Sequence, residues 1–330
     1  MTLAQTTPAE LRGFRTLDEH VEALRTFAAN PRQRVRTGIQ SLDLITEGPA
    51  AGEIYLIMGR SYSGKSQVAT NIMAYNADLP LLFFSMEMPA RQAAQRLLSI
   101  VFDVEHHDIL SQIKNGSLAD VYSDLGARLP RQIIIDDSNL TIGDMTAYVD
   151  QYESYYEERP AAVIVDYLEL VSGNGANDIQ SAGWQNTESV ARALKAWAKN
   201  EDMAVFVLHQ TNRNEKVWLP PDEDSARGAG YTEADVVVGM WQPGRDPEKG
   251  ATLRSSLTNN ISMNVLKNRI TGRTTDGVDI LLKLEPTLRL VDLKGDQNEV
   301  YTQQKEKAEA AAMTEAVSTM VDFLPPVTPF

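Results

Sequence analysis

The eight residues Gly59-Arg60-Ser61-Tyr62-Ser63-Gly64-Lys65-Ser66 constrain this chain more than any other stretch of its 330 residues. They fit the pattern G-x-x-x-x-G-K-[S/T], follow the apolar run 54–58 and precede a helical segment, which is the context that gives the pattern meaning. The residue types follow from the chemistry of a polyphosphate. Gly59 and Gly64 let the backbone curl so that its N–H groups point inward at phosphate oxygens. Lys65 neutralises the outer phosphates and Ser66 offers a hydroxyl to a metal ion. The stretch from Gly59 to Gln67 is therefore assigned to a nucleoside triphosphate, with ATP and Mg2+ as the expected pair.

The rest of the chain reads as the fold that such a loop requires. Short apolar runs at 54–58, 81–85, 132–136, 161–166 and 204–208 alternate with helical segments, the pattern of a parallel sheet buried on both faces. Thr141 and Asp144 can box the start of one helix, and Val190, Leu194 and Trp197 share a face of another over 185–201. After about Ala234 strands follow one another at 236–240, 261–267, 278–284 and 288–293, which predicts an antiparallel extension. The fold class is α/β: a mainly parallel twisted sheet with helices on both faces. Three regions follow. Residues 1–36 are a tail and an amphipathic helix, capped by Thr16 and Glu19 and lined by Leu17, Val21, Leu24 and Phe27. Residues 37–295 form the main domain, and 296–330 a C-terminal tail. The N-terminal helix has nothing local to pack on and must dock on its own domain or on a neighbouring subunit.

A metal bound beside the loop needs a carboxylate at the end of a neighbouring strand, and Asp166 closes 163–166 in that way. A base must orient the attacking water. Glu87, just past the run 81–85, is one choice, and Glu169, three residues after Asp166, is the other.

Composition excludes several classes. A chain with 43% hydrophobic residues can bury a core, and with no cysteine it can hold neither disulfides nor thiolate metal sites. The four histidines have no metal-ligand spacing, and His106-His107 reads as an exposed turn. No apolar run is long enough to span a bilayer, so no membrane role and a cytoplasmic location are expected, the host cytoplasm if the chain is phage-encoded. A net charge of -14 argues against a general positive field for nucleic acid, so any DNA contact must be local.

The order of segments carries a resemblance. Thr37-Gly38-Ile39-Gln40-Ser41-Leu42-Asp43 ahead of the loop is similar to the opening of RecA-like P-loop ATPases. Phe84-Ser85-Met86-Glu87-Met88-Pro89 with Arg96-Leu97-Leu98, then Ile164-Val165-Asp166-Tyr167-Leu168, resembles the DnaB-type replicative helicases. So do Arg192-Ala193-Leu194-Lys195 with Trp197-Ala198-Lys199, Leu208-His209-Gln210 with Asn212-Arg213, and Lys267-Asn268-Arg269 with Gly272. The resemblance covers about residues 34–293.

It implies an ATP-driven hexameric ring that translocates on single-stranded DNA, with Glu87 as base and Gln210 as the sensor linking the γ-phosphate to DNA-facing loops. Lys267 and Arg269 are implied to reach the triphosphate of the adjoining subunit. Arg213, Arg227, Gly228 and Gly230 are implied to follow the DNA backbone, and a primase or helicase loader is implied as a further partner. The family's large N-terminal collar domain does not precede the ATPase region, which points to a phage-like form. Glu169 stands where the family usually has glutamine, and the loop after Arg227 is about two residues short. The alternatives are a filament-forming RecA-like recombinase or strand-annealing ATPase, and a regulatory assembly ATPase that does not unwind. The end Val321 to Phe330 resembles partner-binding tails of replication proteins.

Overall fold

Two apolar layers sandwich one sheet, because successive residues of each central strand point to opposite faces and both faces are covered. The structure is a computed structural model that describes residues 16–30, 33–117, 119–166, 168, 171, 183–211, 216–227, 230–248, 257–275 and 278–293. Its elements are α1 (Leu17–Ala29), α2 (Gln40–Thr46), β1 (Ile54–Gly59), α3 (Lys65–Tyr75), β2 (Leu81–Ser85), α4 (Ala90–Phe102), α5 (Ile109–Lys114), α6 (Ala119–Arg128), β3 (Gln132–Ile135), α7 (Ile142–Tyr156), β4 (Ala162–Asp166), α8 (Gly183–Glu201), β5 (Ala204–Gln210), α9 (Glu223–Arg227), β6 (Val236–Trp241), β7 (Asn260–Asn268), β8 (Ile280–Leu284) and β9 (Leu290–Asp292). They build a nine-stranded sheet in the order β3-β2-β4-β5-β1-β6-β7-β8-β9. The strands β3 to β6 are parallel, and β6 to β9 are antiparallel.

In β1, Tyr55 and Ile57 enter the core shared with α3 and α4, while Ile54, Leu56 and Met58 enter the core under α7 and α8. The same alternation sends Leu81 and Phe83 one way and Leu82 and Phe84 the other. Burial on both faces is why these strands are apolar throughout instead of alternating with polar residues. Trp197 Nε1 donates to Thr146 Oγ1 at 2.9 Å, which ties α8 to α7. The expected Thr141 and Asp144 capping box is present on α7.

All nine expected strands form, and the largest boundary differences have a local cause. The run 288–293 starts its strand only at Leu290 because Leu288 sits at φ 60° in a turn closed by its own N–H on the Glu285 carbonyl. His106 and His107 lie in a turn before α5, His107 exposed and His106 half-buried. The N-terminal helix forms with its Thr16 and Glu19 box, yet none of its residues is buried. Leu17, Val21 and Leu24 stay exposed, and Phe27 meets only the Arg34 guanidinium at 5.4 Å among the ring contacts. The helix-prone stretch 303–312 and the tail 321–330 lie outside the described residues. No helix among the described residues is long and apolar enough to cross a membrane.

Candidate nucleotide site

The parallel strands deliver their carboxyl ends to one edge of the sheet, and the loop after β1 sits there. Two glycines are needed for different reasons. A Cβ on Gly59 would lie 2.5 Å from Ser63 Oγ and 2.7 Å from the Met240 carbonyl of the adjoining strand, so close approach decides it. Gly64 has φ +104° where it starts α3, a backbone state that side chains resist. The amino end of α3 therefore faces the loop, which places the positive end of the helix dipole where an anion would be favoured. Lys65 is buried, and its ammonium donates to the carbonyls of Gly59 at 2.8 Å and Arg60 at 3.0 Å. Tyr62, at φ 66°, is exposed on the rim with the Arg245 guanidinium 5.4 Å above its ring.

Asp166 ends β4 opposite Ser85 of β2. Its side chain is fully buried, and both carboxylate oxygens lack a hydrogen bond of full geometry. Burial, helped by Glu87, pushes this carboxyl up to about 6; the Ser66 hydroxyl, Lys65 and Arg96 pull it back only in part. A buried carboxylate with open oxygens beside a serine hydroxyl fits a divalent hard cation, which takes oxygen ligands and removes the charge penalty. Asp166 and Ser66 would hold Mg2+ between them.

That penalty has a measurable sign. A carboxyl whose folded value lies near 6 instead of 3.8 costs the folded state nothing below about 4 and its full penalty above about 6. Without metal and nucleotide, Asp166 destabilises the neutral-pH fold by roughly 3 kcal/mol at most. Asp166→Asn is expected to melt several degrees higher than wild type at pH 7.5 without metal, an advantage that shrinks as pH falls from 6 toward 4. A variant less stable than wild type at pH 7.5 would refute the burden assigned to this carboxylate.

Glu87 is placed by the same strand end: its N–H donates to the Asp166 carbonyl at 3.3 Å, alongside that of Met86 at 3.0 Å. Its side chain is exposed and opens into the cleft that holds Lys65 and Ser66. Gln210 ends β5 in register with Gly59 and lines the same cleft, whose volume is about 530 Å³. Four chain segments far apart in sequence thus meet at one place.

Lys267 and Arg269 do not join them. β7 runs antiparallel to β6 and pairs Asn268 with Val236, itself opposite Tyr55, so its end lies toward the amino edge of the sheet, roughly 13 Å from the phosphate loop along β1. Lys267 is half-buried there and Arg269 exposed. Burial, with Arg269 and Lys195 adding to it, holds the Lys267 ammonium down at about 8, against the opposing pull of Asp235 and Glu233. Arg227 closes α9. Gly230 is buried at φ +90°, and a Cβ there would lie 2.4 Å from that of Ala191, so packing on α8 alone accounts for a glycine. Arg213, Gly228 and Glu169 lie outside the described residues.

Sequence reasoning overlooked Arg96 as a site residue in its own right. It projects from α4 into the cleft, feels the charges of Asp166 and Glu87, and shares its helix face with Gln92 four residues earlier. The signal was there: Gln92 and Arg96 are polar at helical spacing while the neighbouring Ala93 and Leu97 are core. Gln242 and Arg245, at the rim, follow β6 and had no pattern to betray them.

With this geometry in place, comparison with known proteins gives one answer. Residues 34–277 match the family model described as the DnaB-like helicase C terminal domain. The chain is 28% identical over 238 residues to the replicative DNA helicase DnaB of Pasteurella multocida, covering 69% of this chain and 50% of that protein. It is 32% identical over 214 residues to the DnaB of Leifsonia xyli, covering 62% and 46%. The chain thus spans about half the length of the curated relatives it matches. Among solved structures, an ATPase domain superposes with a TM-score of 0.69 at 19% identity, covering 84% of this chain and 99% of the other. A DnaB-like replicative helicase, solved in a study of its interactions with primase, superposes at 0.64 with 19% identity, covering 84% and 67%. These likenesses establish the RecA-like fold of the helicase ATPase domains. On the match across 34–277, this chain belongs to the DnaB-like helicase C-terminal domain family.

Proposed function

We propose that this chain hydrolyses ATP as a DNA helicase, assembling into a hexameric ring that translocates on single-stranded DNA during replication. One observation carries the reading. The triphosphate loop, Glu87 and Gln210 line one cleft with Asp166 buried beside it, while the cations Lys267 and Arg269 sit toward the opposite edge of the sheet, away from that cleft. A site completed only by a second copy couples hydrolysis to a ring.

In this reading the backbone from Gly59 to Gln67 and the Lys65 ammonium bind the phosphates. Ser66 and Asp166 would hold Mg2+, which would neutralise charge on the phosphate oxygens. Glu87 takes a proton from a water whose oxygen attacks the γ-phosphorus. The bond from that phosphorus to the bridging oxygen breaks, releasing ADP and inorganic phosphate. Lys267 and Arg269 of the adjoining copy offset the developing charge. Gln210 stands between the γ-phosphate side of the cleft and the chain that continues to Arg213 and Arg227, which, with Gly228, follow the DNA backbone. Because the chain is acidic overall, affinity comes from several copies acting along one strand and weakens with salt. The exposed face of α1 supports docking on a neighbouring copy, and a primase or loader is the further partner.

Unwinding of a forked duplex by purified protein in the presence of ATP, with closed rings in negative stain, is the expected result. Open filaments would favour a recombinase or strand-annealing ATPase. Rings without unwinding would favour a regulatory assembly ATPase.

A further inference from the structure

The turn at 230–235 holds both of the cations that lie away from their own cleft. Gly230 is pressed against Ala191 of α8, and its carbonyl accepts the N–H groups of Glu233 at 3.1 Å and Ala234 at 3.0 Å, which winds the turn tightly. This winding presents the carbonyls of Tyr231 and Thr232 to Lys267, whose ammonium donates to both, at 3.1 Å to Thr232. The Tyr231 ring lies under the same ammonium, 4.9 Å from its centroid. One step along, the Asp235 carbonyl accepts the backbone N–H of Arg269 at 2.7 Å, and the Asp235 N–H donates to the Ile54 carbonyl of β1 at 2.9 Å. The Asp235 carboxylate takes the Ile54 N–H at 2.7 Å and the Lys195 ammonium at 2.5 Å, anchoring the turn to β1 and α8.

We propose that this turn is a seat that presents the Lys267 and Arg269 pair to a neighbouring copy's triphosphate, with Tyr231 as a positioning residue acting through Lys267. Three contacts on one flexible side chain fix where its charge sits. An ammonium on a four-carbon stem otherwise spreads over many rotamers and loses that freedom only when it reaches its target. The aromatic face and the two carbonyls remove it beforehand, and all three contacts are ones that a positive ammonium makes. The proposal rests on the reading that Lys267 and Arg269 serve an adjoining subunit.

The test is ATP turnover of the full chain with saturating single-stranded DNA, for wild type, Tyr231→Phe, Tyr231→Ala, Lys267→Ala and the Tyr231→Ala, Lys267→Ala double variant. Tyr231→Phe keeps ring and carbonyls and should stay within about twofold of wild type; Tyr231→Ala should lower kcat about tenfold with KM for ATP little changed. In the Lys267→Ala background the same Tyr231→Ala change should cost nothing more. Equal losses in both backgrounds would overturn the seat while leaving the intersubunit cations standing. Wild-type turnover by Lys267→Ala would remove the cation's role and the seat with it. If Tyr231→Ala does not fold, Tyr231→Leu keeps the apolar bulk without a π face and should show the same tenfold loss; wild-type turnover by it would overturn the proposal.

Discussion

Replacing Lys65 with alanine should lower nucleotide turnover about a thousandfold or more, with little change in the fold. The ammonium donates to the carbonyls of Gly59 and Arg60 and lies buried at the amino end of α3. It is therefore already at the loop when phosphate arrives, and its hydrogen bonds transfer from carbonyls to phosphate oxygens with little rearrangement. The exchange favours the anion because opposite charges attract more strongly than an ammonium and a neutral carbonyl dipole do. In the alanine variant the loop keeps its glycines and its N–H groups, so weak nucleotide binding should survive while hydrolysis fails. Hydrolysis at the wild-type rate would end the assignment of this loop as the triphosphate site.

Arg269→Ala should lower DNA-stimulated hydrolysis by about a thousandfold, as expected for an arginine supplied in trans, while leaving nucleotide binding to the same copy intact. Arg269 is exposed at the edge of the sheet opposite its own cleft, so its removal cannot disturb that cleft directly. Glu87→Gln should be equally slow for the opposite reason, since its cleft lacks the base while its arginine is sound. Mixing the two proteins is the sharper experiment. On random assembly roughly one interface in four pairs an intact base with an intact arginine, and turnover should recover to that extent. Losses that persist after mixing would mean that the two residues do not meet across a subunit boundary.

The phosphate loop was legible because its chemistry and its geometry both leave marks in the sequence. Gly59 and Gly64 answer to close approach and a left-handed backbone, Lys65 and Ser66 are the residue types that phosphate chemistry calls for, and the apolar run before them is fixed by burial on both faces of the sheet. Strands and capping boxes were legible for the same kind of reason: periodicity and local hydrogen bonds act within a few residues. The family resemblance supplied the expected roles of Glu87 and Gln210, which position alone could not separate from ordinary polar residues at strand ends.

The sequence by itself determined the parallel core, the antiparallel extension, the loop and Asp166, because continuous apolar runs and phosphate chemistry are written residue by residue. Only the tertiary structure decided that Arg96 shares a field with Asp166 and Glu87, that Lys267 rests on Tyr231 and Thr232, and that Gly230 is required by Ala191. Each of these depends on elements distant in the chain being brought side by side by sheet order and strand direction. Sheet order and the side-by-side placing of distant elements are expressed in no local stretch of residues, since they are settled by how whole layers pack.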